Sequence, residues 1–158
     1  MDRTKWSVMP ILATAMALAL TISPTTKEKK IQRKDLPPAV EKTVAAQSQG
    51  ATIRGFSTEV EDGKQIYEVA LTVDGHGRDI SVDAQGHVLE IEDEVALDSL
   101  SSAVREGLTQ AAAGGTLGKV EAVTKNGKLV AYEAVVTTGT KHHEVQVGLD
   151  GKKLARPE

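Results

Sequence analysis

The chain has 158 residues, of which 40% are hydrophobic and 26% charged, and a formal net charge of −3. This composition suits a globular chain of one ordinary or two small domains and excludes wholesale disorder. Four aromatic residues (Trp6, Phe56, Tyr67 and Tyr132) and no excess of lysine and arginine argue against a nucleic-acid partner, while the absence of cysteine excludes disulfides, thiolate metal sites and a cysteine nucleophile.

Arg3 and Lys5 precede an apolar run, VMPILATAMALAL, from Val8 to Leu20. Small residues follow around Ala15–Ala19, then polar Thr21 and Ser23. This order reads as an export signal over residues 1–23. The run falls short of the ~20 residues a spanning helix needs, so no stable membrane span is expected after cleavage. The expected location is periplasmic or extracellular. Residues 24–34, polar and basic, read as a tether.

From Asp35 the pattern becomes helical. Leu36, Ala39, Val40, Val44 and Gln47 share one helix face, with Asp35 as the expected N-cap, Pro37 and Pro38 in the first turn and Gly50 at the C-terminal end. The period then changes to two. In QIYEVALTV, Tyr67, Val69, Leu71 and Val73 are expected inward, with Glu68, Ala70 and Thr72 outward. Asp62-Gly63 is a strong hairpin signal.

The segment DGHGRDISVDAQGH, residues 74–87, crowds three aspartates and two histidines around alternating Ile80 and Val82. Its expected reading is a strand between two turns that presents Asp79, Ser81 and Asp83 outward.

At an offset of 64 the chain resembles itself. SLSSAVREGLTQAAAG from Ser99 aligns with DLPPAVEKTVAAQSQG from Asp35, with Ser99 as the expected N-cap. Asn126-Gly127 follows Asp62-Gly63, and Tyr132, Ala134 and Val136 are expected inward, with Ala131, Glu133 and Val135 outward. GTKHHEVQVGLDGK, residues 139–152, aligns with DGHGRDISVDAQGH at an offset of 65. The turns and alternating valines persist, but the would-be ligands change type. The expected fold class is α+β: two tandem repeats, 35–95 and 96–158, each one helix packed on a four-stranded antiparallel sheet.

No catalytic constellation emerges. No serine lies in a G-x-S-x-G elbow, and no phosphate loop or dinucleotide fingerprint is present. Carboxylate pairs such as Glu68 with Asp79, or Glu133 with Glu144, are expected on a solvated sheet face, where nothing raises a pKa. Adjacent His142 and His143 point to opposite faces of a strand, so they cannot chelate together. The expectation is no enzyme, no cofactor and no metal. A metal- or small-ligand-binding envelope sensor using His76, His87, His142 or His143 is the alternative. Charge is uneven: eleven acids against Lys64 and Arg78 between Glu59 and Glu94, but seven acids and eight bases from Ala96 onward. The first stretch would present an acidic face able to steer a basic partner.

The helix openings LPPAV and LSSAV, then DGKQIYEV and NGKLVAYEA, then VDAQGHVLEIE and VGLDGKKLA, resemble the PepSY family in its tandem, β-lactamase-inhibitor-like form. PepSY-like domains are exported or envelope-associated and include propeptides of thermolysin-like metallopeptidases. The resemblance implies binding or regulation of a protein or peptide, peptidases included, rather than catalysis. It also implies that open sheets form one concave docking surface. Carried onto this chain by strand parity, that surface would include Glu68, Asp79, Ser81, Glu133, His142 and Glu144.

Overall fold

A computed structural model describes residues 28–154; the export signal, residues 1–23, and the first part of the tether lie outside the described residues. Eight strands, β1 (Lys29–Ile31), β2 (Thr52–Glu61), β3 (Lys64–Val73), β4 (His76–Asp83), β5 (Val88–Glu94), β6 (Thr116–Lys125), β7 (Lys128–Thr138) and β8 (Lys141–Gly148), form one sheet. Their order in space is their order in the chain, and every neighbouring pair is antiparallel. Two ten-residue helices interrupt the strands, α1 (Pro38–Gln47) before β2 and α2 (Ser102–Ala111) before β6.

This corrects the expected fold class. The molecule is mostly β, and two separate helix-on-four-strand units are not present. The decisive pairing is β5 with β6, where Glu90 to Glu94 run antiparallel to Lys125 to Glu121. That ladder satisfies the backbone edges two independent sheets would have left open. The second helix is followed by three strands rather than four. Lys29–Ile31, within the segment read as tether, adds an edge strand opposite Thr58, Ser57 and Phe56.

One face of the sheet carries the helices. Val40 and Val44 of α1 pack with Val69, Leu71, Ile80 and Val82. Val104 and Leu108 of α2 pack with Val120, Ala134, Val136, Val145 and Val147. Tyr67 and Tyr132 border these two clusters, in keeping with their inward parity. Each fully buried aliphatic side chain contributes roughly 1.5–3 kcal/mol by leaving water.

The turns follow the sequence closely. Asp62-Gly63 and Asn126-Gly127 have positive φ at both residues, the geometry that matches strand twist in a two-residue hairpin. Gly86 and Gly151 are demanded by space as well as by φ. A Cβ on Gly86 would lie 2.7 Å from the Ala39 carbonyl oxygen, and one on Gly151 would lie 2.1 Å from that of Ala103. In both places a turn is pressed against the first turn of a helix.

The expected caps are displaced by short 3₁₀ turns. Asp35 closes the turn Arg33–Asp35, its Oδ2 accepting from Gln32 N at 2.9 Å. Ser99 closes Leu97–Ser99 and donates to Ala96 O at 2.6 Å. Pro37 and Ser101 take the cap positions, and Ser101 Oγ accepts from Val104 N at 3.3 Å.

Candidate functional site

The face away from the helices is the candidate site. Alternation along β3 to β8 sets its rows. In one row Ser57, Glu68, Ser81, Glu90 and Lys125 are successive cross-strand partners. A second runs Gly55, Ala70, Asp79, Glu92, Val123, Ala131 and Gly148. A third runs Glu94, Glu121, Glu133 and Gln146, placing three carboxylates on adjacent strands. Like charges directly opposite one another destabilise a sheet.

This face is cupped. Side chains from Lys30 on β1 to Glu144 on β8 line one cavity of about 540 Å³. Eight flat strands at the usual spacing would hold the two edges roughly 34 Å apart. The small residues Gly55, Ala70, Ala131 and Gly148 in the middle row leave room for that inward curvature. Val123 and Ala131 are fully buried although they belong to neither helix-side cluster.

Asp79 ties the cup together. Arg54, from a bulge in β2, donates from Nη2 to Asp79 Oδ1 at 2.9 Å and from Nε to Leu71 O at 2.9 Å. Lys119 Nζ on β6 lies 3.5 Å from Asp79 Oδ2 and 2.7 Å from Glu121 Oε1. Cations from two strands away on either side thus converge on β4. Glu121 is 3% exposed; its Oε1 is ion-paired with Lys119 but receives no well-directed hydrogen bond. Glu92 makes no hydrogen bond or ion pair with any described residue.

Burial sets the electrostatics. It pushes the Glu92 carboxyl up to about 8, reinforced by Glu121, Glu133, Glu90 and Asp79. Burial also raises Glu121, against the pull of Lys119. It raises Glu133 against the hydrogen bond from Gln146 Nε2, which donates to Glu133 Oε2 at 2.7 Å. Glu68 is raised by burial and partly held down by Ser57 Oγ, which donates to Oε2 at 2.8 Å. Glu90 rises by burial despite Lys125, whose Nζ lies 3.3 Å from Oε2. The expectation that outward parity means solvation therefore fails: Glu133 is 7% exposed, and a concave face dries its own centre.

The expected surface is only partly assembled. Glu68, Asp79 and Glu144 line the cavity. Ser81 sits between Glu68 and Glu90 in its row, and Glu133 is buried against Gln146. His142, exposed, is 3.0 Å from Thr137 Oγ1 through Nδ1 and stays outside the cavity lining. Arg54, Glu92, Lys119 and Glu121 are members that sequence reasoning passed over. Extending the alternation of LEIEDE, and the i, i+2 pair Lys119 and Glu121, would have found three of them.

Asp83 is not presented to a partner. Its Oδ1 accepts from Gln85 N and His87 N, both at 2.9 Å, and its Oδ2 lies 2.9 Å from His87 Nδ1. Those bonds hold its carboxyl below the usual range and explain the crowding in DGHGRDISVDAQGH as turn construction. Asp150 makes the corresponding bond to Lys152 N at 3.0 Å.

Among the described residues, the potential metal ligands that converge within 4.8 Å are Asp79, Glu92 and Glu121, with no histidine. Lys119 already supplies positive charge to two of these three carboxylates, so a cation would have to displace it. Among the described residues, no histidine lines the cavity.

No protein-family model matches the chain, and no curated protein matches it at a significant level. Solved structures do. A DUF2874 family protein from Bacteroides ovatus superposes with a TM-score of 0.57 at 18% identity, over 76% of this chain and 86% of that one. A proposed periplasmic protein from Bacteroides eggerthii gives 0.59 at 14% identity, over 75% and 86%. A BLIP-like protein from Bacteroides fragilis gives 0.54 at 18% identity, over 75% and 83%. At these identities the likeness is one of fold: the chain shares the architecture of the BLIP-like and DUF2874 proteins.

Proposed function

We propose that this chain is an exported, non-enzymatic module of the cell envelope that binds a protein or peptide on the cupped face of its sheet. The observation that carries the reading is the shape of that face: both edges of an eight-stranded sheet line one open cavity, and neither described helix lines it. The names of the structural neighbours support it, one as periplasmic and one as BLIP-like. The PepSY-like motifs add the finer reading, regulation of an envelope enzyme such as a peptidase. No helix among the described residues is long and apolar enough to cross a membrane.

In this reading Glu68, Asp79, Ser81 and Glu144 offer polar groups to the partner. Glu133 shapes the floor beside them, and His142 flanks Glu144 on the same strand face. The partner's main-chain donors are natural mates for such an acceptor-rich surface. Photo-cross-linking in envelope extracts tests the assignment, with the reactive group placed at Ser81, at Glu144 or at Ala45 on the exposed side of α1. Adducts from the first two positions and none from Ala45 are expected. Equal yields from all three would overturn the assignment.

A further inference from the structure

The two hydrophobic cores stop at the middle of the sheet. Among the described residues, the α1 cluster takes nothing beyond Ile91, and the α2 cluster takes nothing before Val95. The helices respect the same boundary, α1 lying against β4 and α2 against β7 and β8. The halves are joined by one ladder, Glu90–Glu94 against Lys125–Glu121, extended by Val95 N donating to Val120 O at 2.9 Å. A joint with no packed core across it bends more readily than the packed layers on either side.

Among the described residues, two ion pairs cross this seam. Lys119 Nζ on β6 lies 3.5 Å from Asp79 Oδ2 on β4, and Lys125 Nζ on β6 lies 3.3 Å from Glu90 Oε2 on β5. Both are longer than the 2.7 Å pair of Lys119 with Glu121, which stays within the second half. Against them, Glu94 sits directly opposite Glu121, and like charges facing each other across a ladder favour separation.

We propose that the β5–β6 ladder is a hinge between two rigid plates, held shut by the ion pairs Lys119–Asp79 and Lys125–Glu90. Bending about it opens or closes the cup while the ladder bonds are kept. Partly exposed pairs of this kind contribute little each, so the unbound chain holds an open form as a minor population. Asp79 and Lys119 also line the cavity, so an occupant that takes either group from the other releases the latch. Binding and hinge angle are thereby coupled. The inference rests on the proposed binding face and adds how that face adapts to what it holds.

The test uses the whole purified chain, which has no cysteine of its own, with spin labels on Ala45→Cys in α1 and Gln110→Cys in α2. Both positions are exposed, on helices that ride the convex side, so opening the cup brings the labels together. Packed layers stand roughly 10 Å apart, so a bend of about 15° shortens the gap by about 3 Å. Lys119→Met with Lys125→Met should raise the shorter-distance population about fivefold in pulsed dipolar measurements. Lys119→Arg with Lys125→Arg should keep the parent distance. Lys64→Met with Lys141→Met, the same charge change away from the seam, should also keep it. Thermal melts confirm that each variant is folded, and the single Lys119→Met carries the same expectation should the methionine pair fail to fold. No shorter population on removing the latch, or an equal one in the Lys64 and Lys141 control, overturns the proposal. The distances are read without a partner, so the two readings fail separately. A second distance without cross-links from Ser81 and Glu144 would support the hinge and remove only the binding face.

Discussion

Glu92→Gln should make the protein more stable, and increasingly so as the pH rises. The Glu92 carboxyl is raised from 4.5 to about 8 in the folded chain, chiefly by burial and then by Glu121 and Glu133. Between those values the folded state binds more protons than the unfolded state, so stability falls as pH climbs. The penalty is absent below about pH 4, grows through neutrality and is complete above about pH 8. A shift of this size corresponds to about 5 kcal/mol as an upper bound. The side chain keeps partial contact with solvent, so about 2–3 kcal/mol is the realistic share. Glutamine preserves shape and cannot ionise. At pH 9 the variant should exceed the parent by about that amount, raising Tm by roughly 6–12 °C for a domain of this size. At pH 4.5 the two should melt within about 2 °C of each other. Calorimetry at pH 4.5, 7 and 9 measures the difference directly. A gap that does not widen with pH would refute the electrostatic account of the cupped face.

Three further outcomes follow from the packing. Gly151→Ala should cost at least about 2 kcal/mol in urea denaturation, because a left-handed φ and a collision with the Ala103 carbonyl act together. Gly63→Ala, strained in φ but facing open space, should cost about 1 kcal/mol, and a reversed order would refute the close-approach reading. Gln146→Leu removes the donor to buried Glu133 and should destabilise by about 1–3 kcal/mol at pH 8, and by less at pH 4.5, where the carboxyl is protonated. Leu71→Ala and Leu108→Ala, in the two helix-side clusters, should each cost about 2–5 kcal/mol while shifting one shared transition. Two separate transitions would mean that the β5–β6 ladder does not join the halves cooperatively.

Local chemistry was legible where one or two residues decide it. Asp62-Gly63 and Asn126-Gly127 form the hairpins their dipeptides announce, and Val69, Leu71, Ala134 and Val136 face the helices as alternation requires. Helix starts were legible only to within a few residues, because Asp35 and Ser99 were claimed by 3₁₀ turns that no periodicity reveals. Two larger features were out of reach. Alternation says which way a side chain points, but not which strand lies across the excursion from Glu94 to Thr116, so the joining of β5 to β6 was invisible. Nor does parity report curvature. Glu121 and Glu133 have the outward phase of solvated residues, and only the bending of the sheet buries them. The same bending makes Glu92, one of several acids in LEIEDE, the most perturbed carboxyl described.

Strand order that copies chain order has a kinetic meaning. Each strand after the first pairs with the one synthesised just before it, and the longest detours are the short helical excursions that precede β2 and β6. Loop-closure entropy is therefore small at every step, and the low contact order favours fast folding by β-sheet standards. No strand has to wait for a partner from the far end of the chain. Assembly can proceed like a zipper from either hairpin, and the curved face takes its final form only when the last tooth, β8, is in place.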